Sequence, residues 1–386
     1  KGNIVIPVYF FDPRYFTANK FGHQNTGVLR AQFLRECVEQ LKSKLQNLGS
    51  DLLVFHAKPE DLLPTLCAKY EVTEVFHHRE IASRETQISE NVEEALWKDK
   101  INLRHFIGHT LYHKEDLPFP IKDIPDAFSV FKKKVEKESR VRATAAPIQT
   151  LTSHPHMEST QVPSLADLGY TEVQIAQQEG ASGQLIGGED NGLLMVEKTL
   201  HADYKSLDDY SSVAPYLSHG ALSLTVYYHR IKTTLNQSNK KKYERLLHKL
   251  LWRDYFRFML KKYPSRYFKN SDPQEEESMD KRKVEAWMTA NTGEHFIDEI
   301  ISEMLHTGNI SYEKRQILAA YFVQEIKGNW LSGAAVFEEY LLDYSPASNY
   351  GYWSHIAGQG TSLKDNLVLS WQALAKKYYP EKIALR

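Results

Sequence analysis

The spacing of hydrophobic and polar positions changes character about halfway along the chain. Residues 3–10 form a near-continuous apolar run, as expected of a strand buried on both faces. Residues 28–48 place Leu29, Phe33, Cys37, Leu41, Leu45 and Leu48 on one stripe, which predicts a helix closed by Gly49. The alternation continues with a strand over 51–56, a helix over 60–70 entered through Pro59, and a strand over 73–77. A helix over 80–97 and a strand over 101–107 follow. Strand, helix, strand at this spacing predicts a parallel sheet with right-handed crossovers.

The second half is helical in period. Tyr243, Leu246, Leu250, Leu251, Tyr255 and Phe258 recur at helical spacing, as do Phe296, Ile297, Ile300, Ile301 and Met304 ahead of Gly308. Residues 317–326 and 334–342 follow the same rule, and Leu367, Trp371, Leu374 and Tyr378 make a last helix before Pro380. Between the halves lie three prolines over 117–125, a basic-acidic helical stretch over 128–142, and a poorly periodic run over 143–164. Five glycines over 178–192 end this zone, which reads as a surface connection. The expected architecture is an α/β N-terminal domain with a Rossmann-like parallel sheet (1–116), a linker (117–192) and an all-α C-terminal domain (193–386).

Composition narrows the function. A chain of 386 residues suggests two domains, and 42% apolar with 25% charged residues excludes a disordered or fibrous protein. No run of about 18 apolar residues exists, so no membrane insertion is expected. Cys37 and Cys67 cannot make a disulfide framework, and neither sits at metal-site spacing from a histidine. A reducing, intracellular compartment is expected, with mitochondrion or plastid as alternatives, and the protein is expected to be soluble. His77, His78, His154 and His156 lack Cys or carboxylate partners at metal spacing, so no metal is expected. A net charge of −1 leaves only local basic runs, 132–134 and 240–242, as candidates for RNA or DNA contact, and solvated faces are the favoured reading of both. Residues 12–27 hold only Gly22 and Gly27, with no GxGxxG or P-loop pattern, which argues against an ordinary Rossmann nucleotide site.

The specific signal lies in ordered words of sequence. These are DYSSVAPYLSHG over 209–220, LLWRDYFRF over 250–258, and Thr292-Gly293. Thr307-Gly308, Asn329-Trp330, LLDYSPASNYGYW over 341–353, and Ala357-Gly358 complete the series. In order and spacing they resemble the photolyase/cryptochrome family, and its DASH cryptochromes in particular. IPVYFFDPRYF over 6–16, LYHKEDLPF over 111–119 and GGE over 187–189 agree with this. The resemblance covers residues 4–360 or so and implies a helical domain that holds FAD, with a folate antenna as an accessory. It implies cofactor-side roles for Ser211, Arg253, Arg315, Asp343 and Asn349, and electron transfer through Trp353 and Trp330.

Several polar positions depart from the family pattern. Tyr210 replaces a Thr, Ala214 a Ser, Lys249 a Glu, Tyr312 an Asn, Glu313 an Arg and Ser345 an Asp. Each lost polar contact to a buried ligand costs about 1–3 kcal/mol, so several together cost many-fold in affinity. The expectation is therefore no cofactor and a hollow refilled by side chains such as Tyr344, Tyr350 and Tyr352. The expected role is a degenerate, non-catalytic family member, a structural or interaction subunit in contact with other protein subunits and with RNA or DNA. The alternative is a FAD-dependent blue-light photoreceptor, or a deoxyribodipyrimidine photolyase acting on cyclobutane pyrimidine dimers in single-stranded DNA.

Overall fold

The computed structural model describes residues 4–178, 183–202, 210–234, 239–269, 280–361 and 369–383. Its first part alternates β1 (Val8–Phe10), α1 (Val28–Asn47), β2 (Leu53–Phe55), α2 (Pro59–Lys69), β3 (Glu74–His78), α3 (Ser83–Trp97) and β4 (Asn102–Phe106). The elements fall where the hydrophobic pattern predicts, with shorter strands. Both pairings are parallel, and among the described residues they form two separate pairs. Val8, Tyr9 and Phe10 register with Leu53, Val54 and Phe55, while β3 runs from Glu74 opposite Asn102 to His78 opposite Phe106. Helix α2 serves both pairs: Leu66 joins the apolar cluster on Leu53, and Cys67 joins the cluster on Val75 and Leu103. A sheet that presents apolar faces needs such helical cover.

The rest is helical: α4 (Phe128–Glu138), α5 (Glu172–Ala176), α6 (Glu189–His201), α7 (Ala214–Ser218), α8 (Leu224–Thr234), α9 (Lys240–Lys262), α10 (Lys281–Met288) and α11 (His295–Thr307). There follow α12 (Tyr312–Tyr321), α13 (Trp330–Tyr340), α14 (Pro346–Ile356), α15 (Trp371–Tyr378) and α16 (Pro380–Ile383). One large core, with Leu250, Ile300, Ile317, Trp330 and Trp353 among its members, holds them together. Leu367, expected in the last helix, lies outside the described residues.

Three expectations need correction. The stretch over 117–192 is not merely a surface connection. Phe128, Phe131 and Val135 of α4 are buried, and Phe128 stacks on Trp252 of α9 with centroids 3.8 Å apart. Their i, i+3, i+7 spacing is amphipathic, but the charges between them mask it. Residues 151 and 160 also dock: Leu151 N–H donates to Leu48 O (2.8 Å), and Val54 N–H donates to Thr160 Oγ1 (2.7 Å) on the outer edge of β2. The helix expected over 317–326 ends at Tyr321 and passes into a wider π turn over Phe322–Ile326. Lys327 at φ 56° closes that turn. In the basic run 240–242, Lys242 is buried rather than solvated, and its ammonium donates to the Thr199 and Ala202 carbonyls at the end of α6. A cation there satisfies carbonyls that lack intrahelical partners.

The helical core is tied to the sheet-bearing part through α9. Asp254 is fully buried, and its carboxylate accepts the Leu111 and Tyr112 N–H groups at 2.9 Å each. One turn further on, Arg257 meets Glu80 at 3.1 Å, and Glu80 also contacts His109 at 2.8 Å.

Two predictions follow from these ties. Asp254→Ala strands two buried N–H donors and is expected to lose about 2–5 kcal/mol in urea unfolding, with Asp254→Asn losing less. Burial alone pushes the Glu80 carboxyl up, but Arg257 and the His109 hydrogen bond override it and hold it down at about 2, below its ordinary 4.5. A depressed carboxyl stabilises the fold fully above its unfolded value and loses that contribution as pH falls toward the folded value. Glu80→Gln should therefore flatten the fall in stability between about pH 5 and about pH 2, read by urea unfolding across that range.

Candidate functional site

A group of buried and half-buried charges surrounds a cavity of about 400 Å³ between α7, α9, α12 and α14. Ligand sites commonly run from about 300 to 1,000 Å³. One face of α9 supplies Arg245, Lys249, Arg253 and Phe256, spaced three or four residues apart. Helix α14 supplies Asn349 and Tyr352 in the same way, with Ser345 just before it. The N-terminal half of α12 contributes Tyr312, Glu313, Arg315 and Gln316. The turn between α13 and α14 brings Asp343 and Tyr344.

The charges are held in a definite arrangement. Arg315 Nη1 donates to Asp343 Oδ2 at 2.9 Å, and its Nε donates to the Ile310 carbonyl at 3.1 Å. Arg253 donates to the His109 and Leu217 carbonyls. Lys249 Nζ lies 3.2 Å from Glu313 Oε1, and both side chains are about nine-tenths buried. Burial pushes the Lys249 pKa down, while Glu313 opposes that shift. Two residues at the end of α7 place Asp343 from behind: Ser218 Oγ donates to its carbonyl (3.0 Å), and His219 Nε2 contacts the Leu342 carbonyl (2.6 Å). Burial holds His219 down at about 4, so it is neutral near pH 7 and donates this bond as an N–H.

The walls carry unmet hydrogen-bonding capacity. Among the described residues, Arg253 Nε, Asp343 Oδ1, Ser345 Oγ, Gln316 Oε1 and Tyr352 OH are buried without a partner. Native interiors leave few such atoms, and five of them belong to residues that line this one cavity. The set holds both donors and acceptors, beside four cations and two carboxylates. That chemistry fits a flavin dinucleotide, whose ring edge has both donors and acceptors and whose diphosphate is a dianion.

The residues singled out from sequence divide in three. Arg253, Arg315, Asp343 and Asn349 line the cavity together, although Asn349 Nδ2 is already committed to the Ala334 carbonyl at 2.8 Å. Ser211 is buried next in sequence to the lining residue Tyr210, but is not itself part of the wall. Trp353 and Trp330 are fully buried and are not part of the lining, although Trp353 packs on the lining residue Phe337. Trp353 packs edge-on against Phe337 and Phe322 (5.0 and 5.7 Å), and Trp330 Nε1 donates to Gln359 at 3.3 Å. Sequence reasoning passed over Arg245, although its position one turn before Lys249 and two before Arg253 puts it on the same face of α9. It also passed over Gln316 and the positioning pair Ser218 and His219; the latter two were inside a quoted motif without a role.

The hollow is not refilled. Tyr312 and Tyr352 pack against each other at 5.3 Å, and Lys249 lies 5.6 Å from the Tyr312 ring, so the larger side chains thicken the wall and leave the space open. Of the tyrosines expected to fill it, Tyr344 and Tyr352 line this cavity, while Tyr350 faces a second one beside Phe268. No group of three or more candidate metal ligands occurs among the described residues. Nor is any described helix long and apolar enough to cross a membrane.

Comparison with known proteins agrees with this geometry. The family model for DNA photolyase matches residues 1–151, and the model for the FAD binding domain of DNA photolyase matches residues 246–381. The chain is 34% identical to cryptochrome DASH of Gloeobacter violaceus, over 98% of this chain and 78% of the relative. It is also 34% identical to the chloroplastic/mitochondrial cryptochrome DASH of Arabidopsis thaliana, over 98% of this chain and 69% of that one. Its fold superposes on the crystal structure of a Synechocystis cryptochrome with a TM-score of 0.87 and 30% identity, covering 99% of this chain and 82% of that one. The expectation of no cofactor is overturned by the match to an FAD binding domain across α9 to α15. The physical reason it failed is that Lys249 and Glu313, counted as two separate losses, neutralise each other in the wall.

The Arg315–Asp343 pair gives a test of the wall itself. Asp343→Ala leaves a buried guanidinium short of its counter-ion and is expected to lose about 3 kcal/mol in urea unfolding. Replacing both residues with leucine should recover most of that loss, because no unpaired charge remains.

Proposed function

The chain belongs to the photolyase/cryptochrome family, and on that footing we propose that it binds FAD in this cavity and works as a DASH-type cryptochrome. The role is that of a flavin-dependent blue-light protein, in photoreception or in the repair of pyrimidine dimers in single-stranded DNA. The observation that carries this reading is the cavity wall, where unpartnered buried donors and acceptors stand among Arg245, Lys249, Arg253 and Arg315. When bound, FAD supplies absorption of blue light and one-electron chemistry.

The chain's own residues do the rest. Arg253, fixed by two carbonyls, keeps Nε in reserve for a phosphate or hydroxyl acceptor. Asp343 uses Oδ2 on Arg315 and keeps Oδ1 to accept from a ring N–H. Asn349 and Ser345 add amide and hydroxyl groups on the α14 side. Tyr312, Tyr352 and Phe256 line the cavity, and a ligand that displaces water there strengthens every charged contact inside. Trp353 and Trp330 are buried indoles, and the family resemblance gives them electron transfer.

The expected result is that the purified chain shows the visible absorption band of an oxidised flavin at near-equimolar content. Arg253→Ala should reduce flavin affinity by about 10- to 100-fold, the loss expected for a buried charged contact. A colourless protein that takes up no FAD on titration would sink the reading. Dimer-bearing single strands under blue light then separate repair from photoreception, since only a repair enzyme restores the intact bases.

A further inference from the structure

One buried cation stands behind the cavity rather than on its wall. Arg30, in the first turn of α1, is only 2% exposed. The positive end of a helix disfavours a cation, so its contacts must hold it there. Among the described residues, all the hydrogen-bond partners of its guanidinium are neutral oxygens. Nη1 donates to the carbonyls of Glu338 and Leu341, the latter at 2.9 Å. Nη2 donates to the Asn25 carbonyl and, at 3.3 Å, to Thr26 Oγ1. The guanidinium also lies over the Tyr344 ring, 4.9 Å from its centroid.

These contacts converge on one turn. Helix α13 ends at Tyr340, so its last carbonyls lack intrahelical donors. Arg30 answers Glu338 and Leu341, and the Gly27 N–H answers Glu339 at 2.9 Å. Further along the turn, His219 and Ser218 answer the carbonyls of Leu342 and Asp343. The next side chains of the turn, Asp343, Tyr344 and Ser345, line the cavity. The turn is thus held from two sides, by the end of α7 and by the start of α1. It has little slack, since a Cβ at Gly27 would lie 2.6 Å from the Glu339 carbonyl oxygen. Asp343 and Tyr344 are near enough to act on the Arg30 charge: burial lowers the Arg30 pKa, while Glu338, Tyr344, Tyr170 and Asp343 oppose that shift.

We propose that Arg30 is a positioning residue for the ligand: by fixing the end of α13 and the Tyr344 ring, it aims the free Oδ1 of Asp343 at the ring N–H of the flavin. This rests on the flavin reading above. A guanidinium suits the task because its planar fork serves two backbone segments at once, here residue 25 and residues 338–341. The start of α1 thereby takes part in ligand recognition without lining the cavity.

The test uses the purified chain, stripped of any flavin it carries and titrated with riboflavin and with 3-methylriboflavin, which lacks that N–H. Binding is followed by quenching of flavin fluorescence, and each variant is also melted without ligand. The unaltered chain is expected to prefer riboflavin by about tenfold, the effect of one buried hydrogen bond to a charged group. Arg30→Met should bring that preference below about threefold. Gly27→Ala presses on the same turn while keeping the arginine, and it should do likewise. It carries the test if melting shows that Arg30→Met does not fold. If both variants weaken the two flavins by one common factor, or change neither, Arg30 is merely structural and the proposal is wrong. It is also wrong if the unaltered chain does not distinguish the two flavins, and in each of these cases the flavin reading stands. If the unaltered chain binds neither, the flavin reading fails and the proposal fails with it.

Discussion

A charge buried in a protein core must be answered by another charge or by hydrogen bonds, and this constraint shapes the centre of the helical domain. Removing an ion from water costs several kcal/mol unless partners replace the lost hydration. Here Arg315 is answered by Asp343, Lys249 by Glu313, and Arg253 by two backbone carbonyls. Each answer joins separate parts of the chain: α12 to the turn before α14, α9 to α12, and α9 to both α7 and residue 109. The pairs therefore brace the cavity from several sides and keep aromatic neighbours such as Tyr312 and Tyr352 from closing it. The polar atoms left over on the wall give the space its chemical character.

Helix α9 connects this site to the rest of the molecule. Its cavity face carries Arg245, Lys249 and Arg253, its other faces carry Asp254 and Arg257, and these last two hold the sheet-bearing part through residues 111–112 and Glu80. Arg253 touches both worlds, lining the cavity while donating to the His109 carbonyl. A ligand that draws on Arg253 would thus be felt at the junction of the two parts.

Much of the fold was legible because its elements are amphipathic. The stripe of α11 is clean, whereas in α1 Phe33 alone of the expected stripe is fully buried and Leu41 is exposed; Gly49 and Gly308 adopt the positive φ (90° and 65°) that their helix ends require. Helix α4 was readable in principle from Phe128, Phe131 and Val135, but neighbouring lysines and glutamates made it look solvated. The π turn after Tyr321 has no hydrophobic signature, since its residues continue the apolar pattern of α12. At the site, sequence motifs led to Arg253, Arg315, Asp343 and Asn349, which do share one cavity. What sequence could not supply was the pairing of positions 249 and 313, 64 residues apart. Read singly, each charge reversal looked like decay. Side by side, they neutralise each other in the wall.

A crystal structure of the chain grown with saturating FAD is the most direct measurement. Density for one dinucleotide in the hollow between α9, α12 and α14, with Lys249–Glu313 and Arg315–Asp343 still paired around it, is the expected result. Contradiction would take the form of Tyr312 and Tyr352 closed into that space, no density for the ligand, and both ion pairs satisfied by each other alone.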